Sequence, residues 1–294
     1  MESLESLLSP VILFSLMVVV GLQLVADDFR RVFSAPRAVV GGTLGQLLLL
    51  PLMTWGVVTV LPVSPMFAAG AVLLAATPGA AMSNVMTAVA GANVALSVTL
   101  TAFSSLLAVA TLPILTAVGI ATFVGDGVDV EVPVAAMVAQ LVAFVGMPIG
   151  VGMVVRAHKP EAAKRYATRA NRFAVFAILI LTGLSMASGE GMSSFPSGAE
   201  FGVAALAALT WTLCAMAIGW GVAILIALEG DDRFTFLVEF SARNLALTII
   251  IAVGALGRLD LGLFAVAYSM SGFPLVIVCA IVRGRMSRAR RAAA

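Results

Sequence analysis

Residues 237–245 read Leu-Val-Glu-Phe-Ser-Ala-Arg-Asn-Leu and place two opposite charges, Glu239 and Arg243, inside a hydrophobic segment that continues to about Leu256. These are the only charged residues of the chain that cannot be assigned to a loop or a tail. A charge at the centre of a bilayer costs roughly 2.5–3.5 kcal/mol on insertion scales. A pair of charges four residues apart on an exposed helix face recovers only about 0.2–0.5 kcal/mol. We therefore expect both side chains to face a polar cavity inside the protein, at its functional site.

The rest of the chain has the composition of a membrane protein. Of its residues, 61% are hydrophobic and 11% are charged, and the mean hydropathy is +1.11. Soluble domains do not reach these values, and apolar runs recur near the roughly 20 residues that cross a bilayer as a helix. Cys214 and Cys279 stand in apolar runs without CxxC spacing, so we interpret them as small core residues. The single histidine, His158, lies in a basic loop, which excludes a cluster of catalytic or metal-binding histidines.

Nine apolar runs predict nine transmembrane helices, so the expected fold class is an all-α integral membrane protein. The runs lie at about 10–26, 37–61, 65–91, 93–120, 132–156, 173–189, 200–229, 233–257 and 260–282. Most arginines and lysines fall on one side of this arrangement, including those of residues 156–172 and of the tail from Arg283. The positive-inside rule then puts the N-terminus outside and the C-terminus in the cytoplasm. Arginine outnumbers lysine, and Ala, Val and Gly are abundant, which favours a bacterial inner membrane as the location.

Two of the nine runs carry polar or helix-breaking residues at membrane depth. The third run contains Pro78, which lacks an N–H, and Gly79, which permits unusual backbone angles, and Ser83 and Asn84 follow. The cluster at 239–244 lies at a comparable place in the eighth run. Since the fifth run reverses the orientation of the second block, the pattern fits an inverted four-helix repeat whose broken helices line a midplane site, as in secondary transporters. Two kinked packing helices are the alternative.

Two motifs around this break resemble those of a known family. Residues 77–87 read Thr-Pro-Gly-Ala-Ala-Met-Ser-Asn-Val-Met-Thr, and residues 91–97 read Gly-Ala-Asn-Val-Ala-Leu-Ser. They are similar to the P-G-G-x-x-S-N-V-M-T and G-N-V-A-L-S motifs of the bile acid:sodium symporter family, in its bacterial branch. Also in register with that family are Pro36, Gln46, Pro51, Glu239 and Asn244. The resemblance covers nearly the whole chain, which we treat as a single transporter domain of residues 1–294.

The resemblance implies a ten-helix fold, or nine helices where the first is absent as here. Such a fold is divided into a panel domain and a core domain with two crossing discontinuous helices. On this chain the panel helices would be those at about 10–26, 132–156 and 173–189. The core helices would be those at about 37–61, 65–91, 93–120, 200–229, 233–257 and 260–282. Members of the family move organic anions inward, driven by two sodium ions, so the implied function is secondary transport and not enzyme catalysis.

The resemblance also implies where a first sodium ion binds. Its ligands would be Ser83, Asn84, Ser97, Thr101 and Glu239. Hydroxyl, amide and carboxylate oxygens are the ligands that a hard cation prefers, and Ser97 and Thr101 share one helix face. Taken singly, each hydroxyl is more often a packing residue that bonds the carbonyl four residues earlier.

The second sodium site of the family would comprise Gln46, Glu239, carbonyls near Phe240 and Ala242, and the side chain at position 243. Relatives that couple to sodium commonly have glutamine there, but this chain has Arg243. A guanidinium has five donors and no acceptor, so it cannot ligate sodium. Three interpretations stay open: Arg243 is a tethered cation that replaces the ion and neutralises Glu239, it binds the anionic group of the substrate, or it forms a structural pair.

Substrate contacts are predicted at Asn244, at Arg243 in the second interpretation, and at Pro78 and Gly79, where the following half-helix offers N–H groups to an anion. The expected substrate is an organic anion, either bile-acid-like or steroid-sulfate-like or a small carboxylate. Sodium coupling is reduced or lost if Arg243 occupies the second site. The alternative is a normally sodium-coupled symporter in which Arg243 binds the substrate. No cofactor is expected beyond, at most, one sodium ion, and the expected partners are the substrate and the lipid bilayer, without nucleic acid or an obligate protein partner.

Two other classes of function are disfavoured. A membrane-embedded enzyme would need a nucleophile–base pair or a metal set beside Glu239, and the sequence places none nearby. A channel or a non-transporting receptor would not need crossed broken helices, which favour alternating access. Turnover of a lipid would support the enzyme, and single-channel currents would support the channel.

Overall fold

The computed structural model describes residues 14–15, 17–19, 21–22, 35–125, 139, 142–163, 165–166 and 197–293. Within these residues every regular element is a helix, and strand-like pairing is confined to one isolated bridge. The predicted helix at 173–189 lies outside the described residues, as do parts of the helices predicted at 10–26 and 132–156. The all-helical class is therefore confirmed, whereas the number of nine helices stays a prediction.

The helices with described bounds are numbered here in chain order. They are α1 (Pro36–Leu44), α2 (Leu50–Val60), α3 (Pro65–Ala76), α4 (Ala81–Val89), α5 (Val94–Phe123), α6 (Met147–His158), α7 (Gly198–Leu225), α8 (Asp231–Ser241), α9 (Leu245–Ile250), α10 (Leu259–Met270) and α11 (Gly272–Ala293). Three π-helical turns adjoin them, at Gly45–Leu49, Val142–Gly146 and Ile251–Ala255. The first turn joins α1 to α2, and the last continues α9.

Four helical runs of the described residues are long and apolar enough to cross a membrane. They are Pro36–Val60 with 25 residues, Val94–Phe123 with 30, Gly198–Leu225 with 28 and Leu259–Ala289 with 31. They lie where the sequence predicts spans at about 37–61, 93–120, 200–229 and 260–282. The last run continues past 282 because α11 stays helical through the arginine-rich residues. The chain is thus a multi-pass membrane protein.

The third and eighth apolar runs are each divided into two helices. In the third run α3 ends at Ala76 and α4 begins at Ala81, with Thr77 and Ala80 in extended conformations of ψ 148° and 161°. Pro78 in this gap has no N–H to continue the helix. In the eighth run α8 ends at Ser241 and α9 begins at Leu245, although residues 242–244 include neither proline nor glycine. The second break must therefore be maintained by contacts from elsewhere in the fold.

The two breaks cross. Gly79 and Arg243 form an isolated antiparallel bridge, and the Asn244 N–H donates to the Pro78 carbonyl at 3.2 Å. Each break thereby supplies partners for backbone groups that the helices leave unpaired, as burial demands. The crossing brings two segments that are about 160 residues apart in sequence into direct contact, and the candidate site is built on it.

Close packing behind the crossing fixes the position of α8. Gly219 of α7 faces the α8 backbone: a Cβ there would lie 2.6 Å from the Phe236 carbonyl oxygen and 2.9 Å from Phe240 Cβ. Phe236 and Phe240 are fully buried and stack with ring centroids 5.8 Å apart. A small residue on α7 and an aromatic face on α8 therefore bring the two helices together.

Candidate ion site at the helix crossing

The carboxylate of Glu239 lies in the last turn of α8 and is completely buried. Ser83 Oγ donates to its Oε1 at 2.6 Å, and Ser97 Oγ also donates to Oε1. Thr101 Oγ1 lies 3.2 Å from Oε2 and 3.3 Å from Oε1. The Asn84 side-chain oxygen completes the cluster by accepting from Ser97 Oγ at 2.8 Å. The five residues predicted for the first ion site are thus in one hydrogen-bonded cluster.

Local structure explains how three helices deliver these groups. Ser83 and Asn84 occupy the first turn of α4, directly after the first break. Asn93 caps α5 by accepting from the Leu96 N–H at 3.1 Å, and this start sets Ser97 and Thr101 on the helix face toward α4 and α8. The cluster is therefore assembled by the break, the cap and the end of α8 together.

Thr87 belongs to the same cluster but was not predicted from the sequence. Its Oγ1 donates to Ser97 Oγ at 3.3 Å, and the residue is fully buried. Its only sequence signal is its position four residues after Ser83, on the same face of α4.

The cluster has more close oxygen contacts than it has hydrogens. Ser97 Oγ is within hydrogen-bond distance of both Glu239 Oε1 and Asn84 Oδ1, and Ser83 Oγ lies 2.6 Å from both Glu239 Oε1 and the Ala80 carbonyl. A hydroxyl has one hydrogen, so each serine can donate to only one of its two acceptors. A small hard cation among these oxygens would relieve the remaining repulsion, so the donor set fits sodium as cargo.

The backbone of the first break lies against the carboxylate. A Cβ at Gly79 would lie 2.7 Å from Glu239 Oε2 and 3.1 Å from Thr101 Oγ1. A glycine is required here by this close approach. Pro78 and Gly79, predicted as substrate contacts, are both buried, and the Pro78 carbonyl accepts from Asn244. They face the ion cluster and the second break.

The ion cluster around Glu239 can be regarded as a first cage. The guanidinium of Arg243 lies in a second, separate cage, and Arg243 is 3% exposed. Its Nη1 donates to Gln46 Oε1 at 2.8 Å and to the Glu239 main-chain carbonyl at 3.3 Å. Its Nη2 donates to the Ala75 carbonyl at 3.3 Å and to the Thr77 carbonyl. Every partner is a neutral oxygen acceptor. One of them is Gln46, which the sequence analysis also places beside Arg243.

The position of this cage follows from the ends of two helices. Ala75 and Thr77 lie at the C-terminal end of α3, and Glu239 lies in the last turn of α8. Carbonyls at helix C-termini lack intrahelical donors and carry the negative end of the helix dipole. Two such ends meet at the crossing, so the site attracts a cation, and the guanidinium supplies one.

The contacts of Arg243 differ from the expected ones in two respects. In the described part of the chain no ion pair within 4.0 Å joins its guanidinium to the Glu239 carboxylate, so Arg243 does not neutralise Glu239 by contact. The carbonyls it reaches belong to Ala75, Thr77 and Glu239, where Phe240 and Ala242 were expected. The planar fork of donors explains this, because it extends away from its own backbone toward α3.

Asn244, a predicted substrate contact, is half-buried at the crossing and begins α9. Its side-chain oxygen accepts from the Leu247 N–H at 3.0 Å. This bond caps the half-helix, so the side-chain oxygen has a structural role and the NH2 group is not part of the cap.

Comparison with known proteins shows that the sequence of this chain is similar to those of transporters. The chain is 29% identical over 249 residues to a probable sodium/metabolite cotransporter, BASS2, chloroplastic, from Oryza sativa subsp. japonica, a match that covers 85% of this chain and 57% of the relative. It is 35% identical over 136 residues to an uncharacterized sodium-dependent transporter, YocS, from Bacillus subtilis strain 168, covering 46% and 40%. It is 41% identical over 97 residues to a probable sodium/metabolite cotransporter, BASS1, chloroplastic, from Arabidopsis thaliana, covering 33% and 24%.

The matched regions thus span between about a quarter and somewhat over half of the length of these relatives. A family model described as the sodium bile acid symporter family matches residues 10–193. That range covers more than half of the chain and includes Gln46, the first break and the hydroxyl residues of the ion cluster. The relatives and the family are transporters and not enzymes, in agreement with the sequence analysis. The chain belongs to the sodium bile acid symporter family.

Proposed function

We propose that this protein is a secondary transporter that moves organic anions by alternating access, with sodium coupling reduced or lost because Arg243 occupies the second sodium site. One observation carries the proposal: a buried guanidinium is held by a side-chain amide oxygen and three main-chain carbonyls at two helix C-termini. Such a set of neutral oxygens suits a cation, and here the cation is covalently attached.

Charge arithmetic supports a residual role for one sodium ion. Two sodium ions beside one carboxylate carry a net charge of about +1, and the cluster of Arg243, Glu239 and one sodium ion carries the same charge. Because the guanidinium does not touch the carboxylate, the hydroxyl cluster around Glu239 still offers oxygen ligands. We therefore propose Ser83, Asn84, Ser97, Thr101 and Glu239 as the ligands of a single transported sodium ion.

The finer architecture and orientation are part of the same proposal. We infer nine transmembrane helices, an inverted repeat, and a panel and a core domain bounded as the sequence predicts. The two divided helices that cross at Gly79 and Arg243 support this arrangement. The arginine-rich end of α11 supports a cytoplasmic C-terminus in a bacterial inner membrane. Asn244 is proposed as a substrate contact through its amide nitrogen.

A second candidate is a normally sodium-coupled symporter in which Arg243 binds the substrate anion. Two buried donors favour it: in the part of the chain that the structure describes, Arg243 Nε and Gln46 Nε2 have no hydrogen-bond partner. A buried donor without a partner lowers the free energy of unfolding, so an acceptor that bound there would stabilise the protein. A carboxylate or sulfate that reached the guanidinium edge would supply one.

Uptake into proteoliposomes tests both candidates. The labelled probes are a conjugated bile acid, a steroid sulfate, pyruvate and pantoate, each with an inward sodium gradient and with sodium replaced by potassium or choline. The tethered-cation proposal expects weak sodium dependence in the wild type and stronger dependence in Arg243→Gln, because glutamine reopens the site. The substrate-binding candidate expects Arg243→Gln to raise the KM for the anion without changing sodium dependence.

The matched control is Arg258→Gln. Arg258 lies at the start of α10, outside the crossing, and pairs with Asp260 at 2.7 Å. We expect uptake and sodium dependence of this variant to equal the wild type. Strong sodium dependence of the wild type that Arg243→Gln leaves unchanged would overturn the tethered-cation proposal.

A further inference from the structure

The hydroxyl of Tyr268 contacts the backbone at the start of the second break and within it. It donates to the Ser241 carbonyl, the last residue of α8, and accepts from the Arg243 N–H at 3.5 Å. Tyr268 lies on α10 and is completely buried. A phenol hydroxyl has one donor and acceptor lone pairs, so it can satisfy a carbonyl and an N–H at once.

These are two of the backbone groups that the break leaves without helical partners. In a continuous helix the Arg243 N–H would donate to the Glu239 carbonyl, and the Ser241 carbonyl would accept from the Leu245 N–H. In the structure the Leu245 N–H donates to the Arg243 carbonyl at 3.1 Å. The Glu239 carbonyl accepts instead from Arg243 Nη1 at 3.3 Å. The side chain of Arg243 has therefore taken the acceptor that its own N–H would use.

This exchange makes the position of the guanidinium depend on Tyr268. If the Arg243 N–H lost its phenol partner, the acceptor that helical geometry offers it would be the Glu239 carbonyl, in competition with Nη1. Residues 242–244 contain no proline or glycine that would keep the backbone from forming this helical bond. The first break holds residues 243 and 244 through the bridge to Gly79 and the bond to Pro78, and the hydroxyl of Tyr268 is the partner that occupies the Arg243 N–H itself.

The ring that carries this hydroxyl is itself fixed. It packs edge to face against Trp211 of α7, with ring centroids 5.7 Å apart and an interplanar angle of 85°. The Trp211 Nε1–H donates to Thr54 Oγ1 of α2 at 2.8 Å, and Thr54 Oγ1 donates to the Leu50 carbonyl at 2.6 Å. All three side chains are fully buried. A chain of contacts thus runs from α2 through α7 and α10 to the second break.

We propose that Tyr268 is a positioning residue that holds the second break open and so keeps the guanidinium of Arg243 in the carbonyl cage. The inference rests on the proposed function, in which that cage replaces an ion site. In this role Tyr268 is not an ion ligand, and it acts through the backbone of Arg243. Its removal loosens the tethered cation and lets sodium compete for the cage.

The experiment compares Tyr268→Phe with the wild type, purified in detergent, by thermal unfolding in sodium chloride and in choline chloride at equal ionic strength. Sodium ion is the probe, so no substrate is needed. We expect Tyr268→Phe to lower the sodium concentration that gives half-maximal stabilisation by roughly threefold, the equivalent of one lost neutral hydrogen bond. Arg243→Gln should lower it further. The control is Tyr166→Phe, because Tyr166 is the other tyrosine of the chain and is 60% exposed.

A double variant separates positioning from packing. If Tyr268 acts through Arg243, adding Tyr268→Phe to Arg243→Gln leaves the sodium response of Arg243→Gln unchanged. A Tyr268→Phe protein that is less stable in both salts, with the sodium response of the wild type, would overturn the positioning role. If Arg243→Gln also responds like the wild type, the tethered-cation proposal fails as well, so the two failures are distinguishable.

A second variant keeps the test available if Tyr268→Phe does not fold. Thr54→Val removes the acceptor of Trp211 and loosens the ring that carries the hydroxyl, two contacts away from the break. We expect the same direction of change in the sodium response, with a smaller amplitude. A wild-type sodium response in Thr54→Val would then count against the positioning role.

Discussion

Glu239 and Arg243 are four residues apart, on either side of the end of α8, but their charged groups lie in cages of opposite chemistry. The carboxylate is surrounded by hydroxyl groups of Ser83, Ser97 and Thr101, which are side-chain donors from two other helices. The guanidinium is surrounded by acceptors, three of them main-chain carbonyls and one the amide oxygen of Gln46. The first cage holds an anion among groups that can also ligate a cation, and the second already holds a cation.

Under the proposed function, this difference would let one residue alter ion coupling while the helix ends that form the second cage stay in place. The second cage is made mostly by helix ends, whose carbonyls are present whatever the side chains are. In this proposal the residue at position 243 decides what occupies the cage, because it either leaves room for an ion or brings its own charge. The first cage depends on several side chains, so its properties change by degrees.

The largest effect is expected from emptying the second cage. Arg243→Ala leaves the Gln46 oxygen and the Ala75 and Thr77 carbonyls buried without the donor they now have. Each buried acceptor left without a donor costs about 1–3 kcal/mol of the free energy of unfolding. The measurement is denaturant or thermal unfolding in detergent, in the absence of sodium.

The control for this substitution is Arg258→Ala. Arg258 forms an ion pair with Asp260, and their side chains are 28% and 23% exposed. Such a pair contributes about 1 kcal/mol or less. Equal losses of stability in the two alanine variants would contradict the view that the cage requires a cation. Added sodium should restore part of the stability of Arg243→Ala and none of that of Arg258→Ala.

A smaller effect is expected where the first break meets the first cage. A Cβ in Gly79→Ala would lie 2.7 Å from Glu239 Oε2, and the bridge to Arg243 prevents the backbone from withdrawing. Such overpacking costs about 1–3 kcal/mol, and it displaces the carboxylate from Thr101, so sodium stabilisation should weaken. The measurement is the sodium dependence of thermal unfolding.

Gly56→Ala is the matched control, because no atom lies within 4 Å of a Cβ at that position of α2. There alanine should stabilise the helix by up to about 1 kcal/mol, since glycine is the poorer helix former. Loss of sodium response in both glycine variants would show that the effect is not specific to the crossing.

The parts of this site that the sequence predicted are those set by local chemistry. Pro78 lacks an N–H in any environment, so the first break could be placed from the sequence, and a charge at membrane depth demands a polar surrounding. The identity of the hydroxyl residues came from the resemblance to a family, because each alone is an ordinary packing residue. The main-chain acceptors of Arg243 could not be predicted, since carbonyls have no sequence signal and the crossing brings those of Ala75 and Thr77 from a distant segment.

The second break shows the same limit more clearly. Residues 242–244 would be helical by local preference, and their extended course depends on Pro78 from the first break and on Tyr268 from α10. Neither contact can be read from one window of sequence. Tertiary contacts here override helix propensity. The charges of the eighth run were therefore the only reason that its sequence gave for expecting an interruption.

The smallest effect is expected at the outer edge of the first cage. Thr87 donates to Ser97 Oγ at 3.3 Å. Ser97 therefore accepts from Thr87, and its own single hydrogen can go either to Asn84 or to Glu239. Thr87→Val removes the donor while keeping the shape. It should cost about 1 kcal/mol of stability or less and should weaken sodium stabilisation by roughly twofold. Thermal unfolding against sodium concentration measures both.

Thr111→Val is the control for this substitution, because the Thr111 hydroxyl donates its hydrogen to the Leu107 carbonyl of its own helix, at 3.1 Å. Its sodium response should equal that of the wild type. If Thr87→Val also has the wild-type response, the hydroxyl contacts around Glu239 act as separate pairs. If it has a weaker response, a residue that does not touch the carboxylate changes how the carboxylate binds a cation, and the first cage acts as a connected network.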